Sequence, residues 1–166
     1  MPNPDYRIRL PEALDHLTDN HLWELLEPLS PRGAIGLPQE MSRFLDFTPG
    51  QMAVFAVIVT QREVDKGGLE GYFQSRAGMY WQYAVEGYRR IGSLERAEAL
   101  KQAAVFCPGE RAPASLEGRL KVLADTPKDQ REQVWTPLED TLFSEAEVRS
   151  LLLRYVREHS DEFFLD

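Results

Sequence analysis

Between Met52 and Val59 the chain carries its longest apolar run, MAVFAVIV, and a run of that kind has to be buried. It is far too short to span a bilayer, which takes about 20 residues. It therefore belongs to the interior of a folded domain. Val54, Phe55, Val57, Ile58 and Val59 would suit a buried strand as well as a helix. The start signal decides between them. Thr48-Pro49-Gly50-Gln51 is a capping-box pattern with proline at the first helical position. The pattern predicts a helix, apolar on most faces, at the centre of the domain. Polar residues return at Thr60 to Glu63, and Gly67-Gly68, the one Gly-Gly pair in the chain, breaks the element. Leu69, Tyr72 and Phe73 follow at helical spacing, so a short helix can bury them together. Gly78 is expected to close the segment. The expectation is a buried helix, a glycine corner and a second helix folding back.

The flanks read as helices too. Residues 1–11 hold three prolines and read as an extended arm. Leu22, Leu25, Leu26 and Leu29 form one helical stripe, and Ser30 to Pro38 reads as a loop. Gly33 and Gly36 are not followed by Gly-Lys-Ser/Thr, so a phosphate loop fails. Tyr80, Ala84, Tyr88 and Ile91 share a helix face; Gly92 stops it and Ser93 can cap the next helix. Leu94, Ala97, Leu100 and Ala104 continue the pattern up to Phe106-Cys107-Pro108-Gly109. Leu116, Leu120 and Leu123 predict a helix starting near Ser115, and Lys128 to Val134 a polar helical turn. Thr136-Pro137-Leu138-Glu139 and Ser144-Glu145-Ala146-Glu147 are two more capping-box patterns. The second opens a helix with Val148, Leu151, Leu152, Tyr155 and Val156 on one face. No alternation of period two is present. The expected fold is all-α, a single compact multi-helix domain over residues 12–166 around a central apolar helix at about 50–65.

The same residues bound the chemistry. A single cysteine, Cys107, excludes an internal disulfide. His16, His21 and His159 are scattered, and Asp15 and Asp19 beside the first two are better read as surface carboxylates than metal ligands. Glu63 and Asp65, two apart, point away from each other on a helix and make no acid–base dyad. No catalytic constellation, cofactor motif or metal site is expected. The first residues lack an apolar signal core, and the expected location is cytoplasmic. Tyr72, Phe73, Tyr80, Trp81, Tyr83 and Tyr88 sit at spacings typical of core. Trp135 and Phe163-Phe164 suit a core or a homodimer interface equally.

The stretch Glu63–Gly78, EVDKGGLEGYFQSRAG, resembles the signature of a family of small acidic bacterial proteins. That family is a domain of unknown function typified by a nineteen-kilodalton DNA-mimic protein. Its pattern is Glu-Val-x-Asn-Gly-Gly-Phe-x-Gln-Tyr-Phe-x-Asn-x-x-Gly. Glu63, Val64, Gly67, Gly68, Tyr72, Phe73 and Gly78 match it, while Lys66, Leu69, Gly71 and Ser75 depart from it. The segment around Tyr88, Ile91-Gly92 and Ala97, and an ending with Leu138-Glu139-Asp140, Phe143, Tyr155-Val156 and Phe163, extend the likeness over about 48–166. The resemblance implies a non-enzymatic protein that occupies the DNA-binding surface of a transcription regulator or histone-like protein.

Net charge is −8, which disfavours direct binding to nucleic acid or an anionic membrane and permits basic partners. Residues 1–61 carry −4, residues 62–101 carry +1 and residues 102–166 carry −5. Candidate contributors to an acidic partner-binding surface are Asp15, Asp19, Glu24, Glu27, Glu139, Asp140, Glu145, Glu147, Glu158, Asp161 and Glu162. Arg149, Arg154 and Arg157 interrupt the last of these. An immunity or antitoxin-like protein that neutralises a basic toxin or nuclease would use the same physics. A small enzyme or ligand-binding module would instead need a pocket at the aromatic centre beside Gly67-Gly68.

Overall fold

The structure is a computed structural model that describes residues 18–26, 47–105, 112–113 and 115–163. The described chain is helical throughout: α1 (Asp19–Leu26), α2 (Pro49–Gln74), a 3-10 turn (Arg76–Tyr80), α3 (Trp81–Arg90), α4 (Leu94–Ala104), α5 (Leu116–Asp125), α6 (Lys128–Leu142), α7 (Glu145–Glu158) and a last 3-10 turn (Ser160–Glu162). The protein is an all-α compact domain, as its periodicity predicts. The expected arm at 1–11, the loop Ser30–Pro38, Leu29, His16, Cys107 and Phe164 lie outside the described residues.

Helix α2 is the axis. Its predicted capping box forms: the Gln51 N–H donates to Thr48 Oγ1 at 3.2 Å, and the Thr48 N–H donates to Gln51 Oε1 at 3.1 Å. Every residue from Ala53 to Val59 is buried, because α3, α5, α6 and α7 all pack on this helix. At α3 the approach is close enough to exclude any side chain. A Cβ on Gly87 would lie 2.7 Å from the Ala53 carbonyl oxygen and 2.7 Å from Val57 Cγ2. Gly87→Ala therefore has to push two helices apart, and a loss of about 2 kcal/mol is expected in urea denaturation. An unchanged midpoint would show that the contact relaxes freely.

The glycine corner is narrower than a loop. Gly68 alone leaves helical conformation, with φ 67° and ψ −170°, and the helix continues through the kink to Gln74. Leu69, Tyr72 and Phe73 are buried together as their spacing predicts. Gly78 does not close the segment; the helix ends at Gln74, and Gly78 lies within the following 3-10 turn. The aromatic centre is core. Phe55 meets Tyr80 edge-on at 5.2 Å, and Phe73 stacks on Trp135 at 5.5 Å. Phe163 is fully buried, so it and Trp135 belong to the same interior. Burial pushes the Tyr72 and Tyr88 phenols well above the usual tyrosine pKa.

Three capping expectations fail for physical reasons. The Thr136 capping box does not form, because α6 runs from Lys128 to Leu142 with Pro137 inside it. Proline in a helix interior costs about 3 kcal/mol, and contacts on both sides hold the helix. The Trp135 indole N–H donates to the Ala103 carbonyl at 3.2 Å, and the Leu142 carbonyl accepts from the Gln61 amide at 2.8 Å. The Ser144 box is absent too. Ser144 has φ 99° and its side chain caps nothing, while Glu147 turns to Arg96. Ser93 stands before α4, but its hydroxyl accepts from Arg96 Nη1 at 3.0 Å instead of capping the helix. On α5, Leu120 is exposed and Arg119 takes the buried place beside Leu123.

Candidate acidic interface

The predicted acidic residues divide into those that hold the fold and those that face outward. Glu162 holds the start of α2. Its Oε1 accepts the Gly50 N–H at 3.0 Å, its Oε2 accepts the Tyr155 hydroxyl at 2.9 Å, and its backbone carbonyl accepts the Thr48 hydroxyl at 2.7 Å. Glu139 holds the second half of the same helix. Its Oε1 accepts the Leu69 N–H, just after the kink, at 2.8 Å. Both carboxylates sit where backbone N–H groups lack helical partners and the helix dipole favours negative charge. At the other end of α2 a cation does the complementary task. Arg119, 2 % exposed, donates from Nε to the Phe73 carbonyl at 3.0 Å and from Nη2 to the Ser75 carbonyl at 2.7 Å. Its Nη1 reaches the Pro113 carbonyl at 3.1 Å. Burial pulls its pKa below the usual arginine value, an effect that Tyr72 partly offsets.

Each of these charges rests on a glycine. A Cβ on Gly50 would lie 2.7 Å from Glu162 Oε2, on Gly68 2.6 Å from Glu139 Oε1, and on Gly78 2.8 Å from Arg119 Nε. Two of the three glycines belong to the signature Glu63–Gly78, so the signature marks where the C-terminal third clamps the central helix. Its other members agree with this reading. Tyr72 and Phe73 are core, Gly67 is open, and Glu63 is half-buried on α2. Among the departures, Leu69 is buried, Lys66 is exposed, and the Ser75 hydroxyl donates to the Tyr72 carbonyl at 2.8 Å.

Two further candidates are exposed and paired. Asp19 meets Arg157 at 2.9 Å, which helps lay α1 along α7. Arg149 on α7 assists by bonding Asn20 at 2.9 Å and lying 5.1 Å over the Trp23 ring. Glu147 meets the buried Arg96 at 3.1 Å, and this guanidinium holds its carboxyl below the usual glutamate pKa. Glu24, Asp140, Glu158 and Asp161 are exposed, and their carboxylates make no hydrogen bond or ion pair with the described residues. Asp15, Glu27 and the side chain of Glu145 lie outside the described residues.

Sequence reading missed the arginines. Arg96, Arg119 and Arg131 are the buried charged side chains among the described residues. Arg131 bonds the Leu123 carbonyl, the Thr126 carbonyl at 2.8 Å and Glu70 at 2.8 Å. The one available signal was the spacing of positions 116, 119 and 123, as regular as that of the leucines, but arginine reads as surface. Two depressions among the described residues lie away from Gly67-Gly68. One, of about 10 Å³, sits between Phe73, Ala104, Leu123 and Trp135; the other is an open groove beside Leu120, Pro127 and Lys128. Neither is lined by a carboxylate. No described helix is long and apolar enough to cross a membrane.

No curated protein and no solved structure was found to match the chain. The family model described as DMP19-like protein matches residues 45–159, from the approach to α2 through α7. That span includes the kinked helix, two of its three charged clamps and the whole Glu63–Gly78 signature. The chain belongs to the DMP19-like protein family.

Proposed function

We propose that this protein is a non-enzymatic DNA mimic, acting in the cytoplasm by covering the DNA-binding surface of a transcription regulator or histone-like protein. The observation that carries the reading is the sorting of charge by burial. Arg96, Arg119 and Arg131 are withdrawn into the interior, while no carboxylate among the described residues is buried. A partner touching the surface meets more carboxylates, relative to cations, than the net charge of −8 implies. Glu24, Asp140, Glu158 and Asp161 are unengaged among the described residues, and Asp19 and Glu147 are exposed enough to be shared with a partner. Carboxylates on packed helices are held in place, so an arginine or lysine that binds phosphate can pair with them at little ordering cost.

The test is retention of basic proteins on the immobilised chain, eluted by a salt gradient and identified by mass spectrometry. A DNA-binding protein is expected at moderate salt, displaced by duplex DNA. Asp140→Asn, Glu158→Gln and Asp161→Asn together should move its elution to lower salt. A basic toxin or nuclease in its place would make the protein an immunity factor. Retention of nothing basic at low salt would remove electrostatic mimicry altogether.

A further inference from the structure

The corner where α4 begins and α6 turns into α7 carries features that charge alone does not use. The buried Arg96 joins the two segments. Its Nη1 donates to Ser93 Oγ at 3.0 Å and its Nη2 to the Phe143 carbonyl at 3.5 Å. One guanidinium spans both contacts, so Phe143 and Leu94, the neighbour of Ser93, are held at the same corner. Both are exposed, Leu94 by 66 % and Phe143 by 38 %. The next residue, Ser144, is the one non-glycine residue with positive φ among the described residues. Strained backbone of this kind persists only where its surroundings impose it, and it gathers at functional sites. Two carboxylates stand at the same corner. Glu95 lies 3.5 Å and Glu147 3.1 Å from the Arg96 guanidinium, each more than half exposed. Two acids around one buried cation leave the rim negative.

We propose that this corner is the apolar anchor of the interface, and that it takes the part of a basic partner protein where an aliphatic side chain stands between arginines or lysines. The inference rests on the mimic reading. The partner's cations pair with Glu95 and Glu147, and its aliphatic side chain covers Leu94 and Phe143. Interfaces draw much of their binding energy from such a packed apolar centre inside a polar rim. On DNA the same partner side chain would meet a thymine methyl.

Two labelled helical peptides test this by fluorescence anisotropy. One carries arginines flanking central leucines; in the other, serines replace the leucines. The leucine peptide is expected to bind about tenfold tighter, the worth of roughly one buried leucine. Leu94→Ser with Phe143→Ser should abolish that difference and leave the serine peptide's affinity unchanged. Leu120→Ser, at an exposed leucine of α5, should leave the difference intact. Both positions of the double variant are exposed, and an unchanged melting curve confirms that it folds. Equal binding of the two peptides to the native chain would overturn the anchor and leave mimicry standing. So would a difference that survives the double substitution, or one that Leu120→Ser removes equally. Binding of neither peptide at low salt would sink the mimic reading itself, and the anchor with it.

Discussion

Alanine at Gly68 is expected to lower the unfolding free energy by about 3 kcal/mol, and alanine at Gly67 to leave it unchanged or raise it by up to about 1 kcal/mol. Two adjacent glycines thus respond differently, and only Gly68 loses stability. Gly68 has φ 67° and ψ −170°, a region that side-chain-bearing residues scarcely enter. Its added Cβ would also stand 2.6 Å from Glu139 Oε1, so the carboxylate would have to leave the Leu69 N–H. Backbone strain and a lost cap add together. Gly67 has no positive φ and nothing within 4 Å of its Cβ position, so alanine there only stiffens the unfolded chain and favours helix. Urea denaturation of the two variants measures both. Glu139→Ala should cost about 1 kcal/mol in the native background and much less beside Gly68→Ala, where the cap is already displaced. A Gly68→Ala variant as stable as the parent would mean that the kink is neither strained nor clamped.

The same corner shows what the sequence made legible. Thr48 with Gln51, the apolar run from Met52 and the stripe from Val148 to Val156 are local signals that appear in the structure, while the break expected at Gly67-Gly68 appears as a kink at Gly68 alone. What was illegible depends on residues far apart in the chain. Glu139 and Glu162 look like surface acids, because nothing near them in sequence shows that Leu69 and Gly50 await an acceptor. Ser144 and Glu147 match a capping box, but the buried Arg96 on another helix takes the glutamate. Pro137 marks a helix start by local rule, and the packing of Trp135 and the bond to Leu142 carry the helix through it. The candidate interface was legible as a surplus of acid. Which acids are engaged within the fold was not.

Arg119→Met should be the most damaging single substitution of a charged side chain, with an expected loss of about 3–5 kcal/mol from three carbonyls left without a donor. Methionine fits the buried space but leaves the Phe73, Ser75 and Pro113 carbonyls without this donor. Two of these lie at the C-terminal end of α2, where carbonyls lack helical partners and a cation opposes the dipole. Arg119→Lys keeps the charge but is expected to recover less than half of the loss. One ammonium cannot reproduce the planar fork that reaches three carbonyls from Nε, Nη1 and Nη2. Hydrogen exchange should distinguish a clamp from simple packing. Loss of the guanidinium should raise exchange in the last turn of α2 and in α5, which Arg119 ties together, and leave the first turns of α2, held by Glu162, protected. Uniform destabilisation along α2 would assign Arg119 to the core at large; a loss below about 1 kcal/mol would mean that the three carbonyls find other donors.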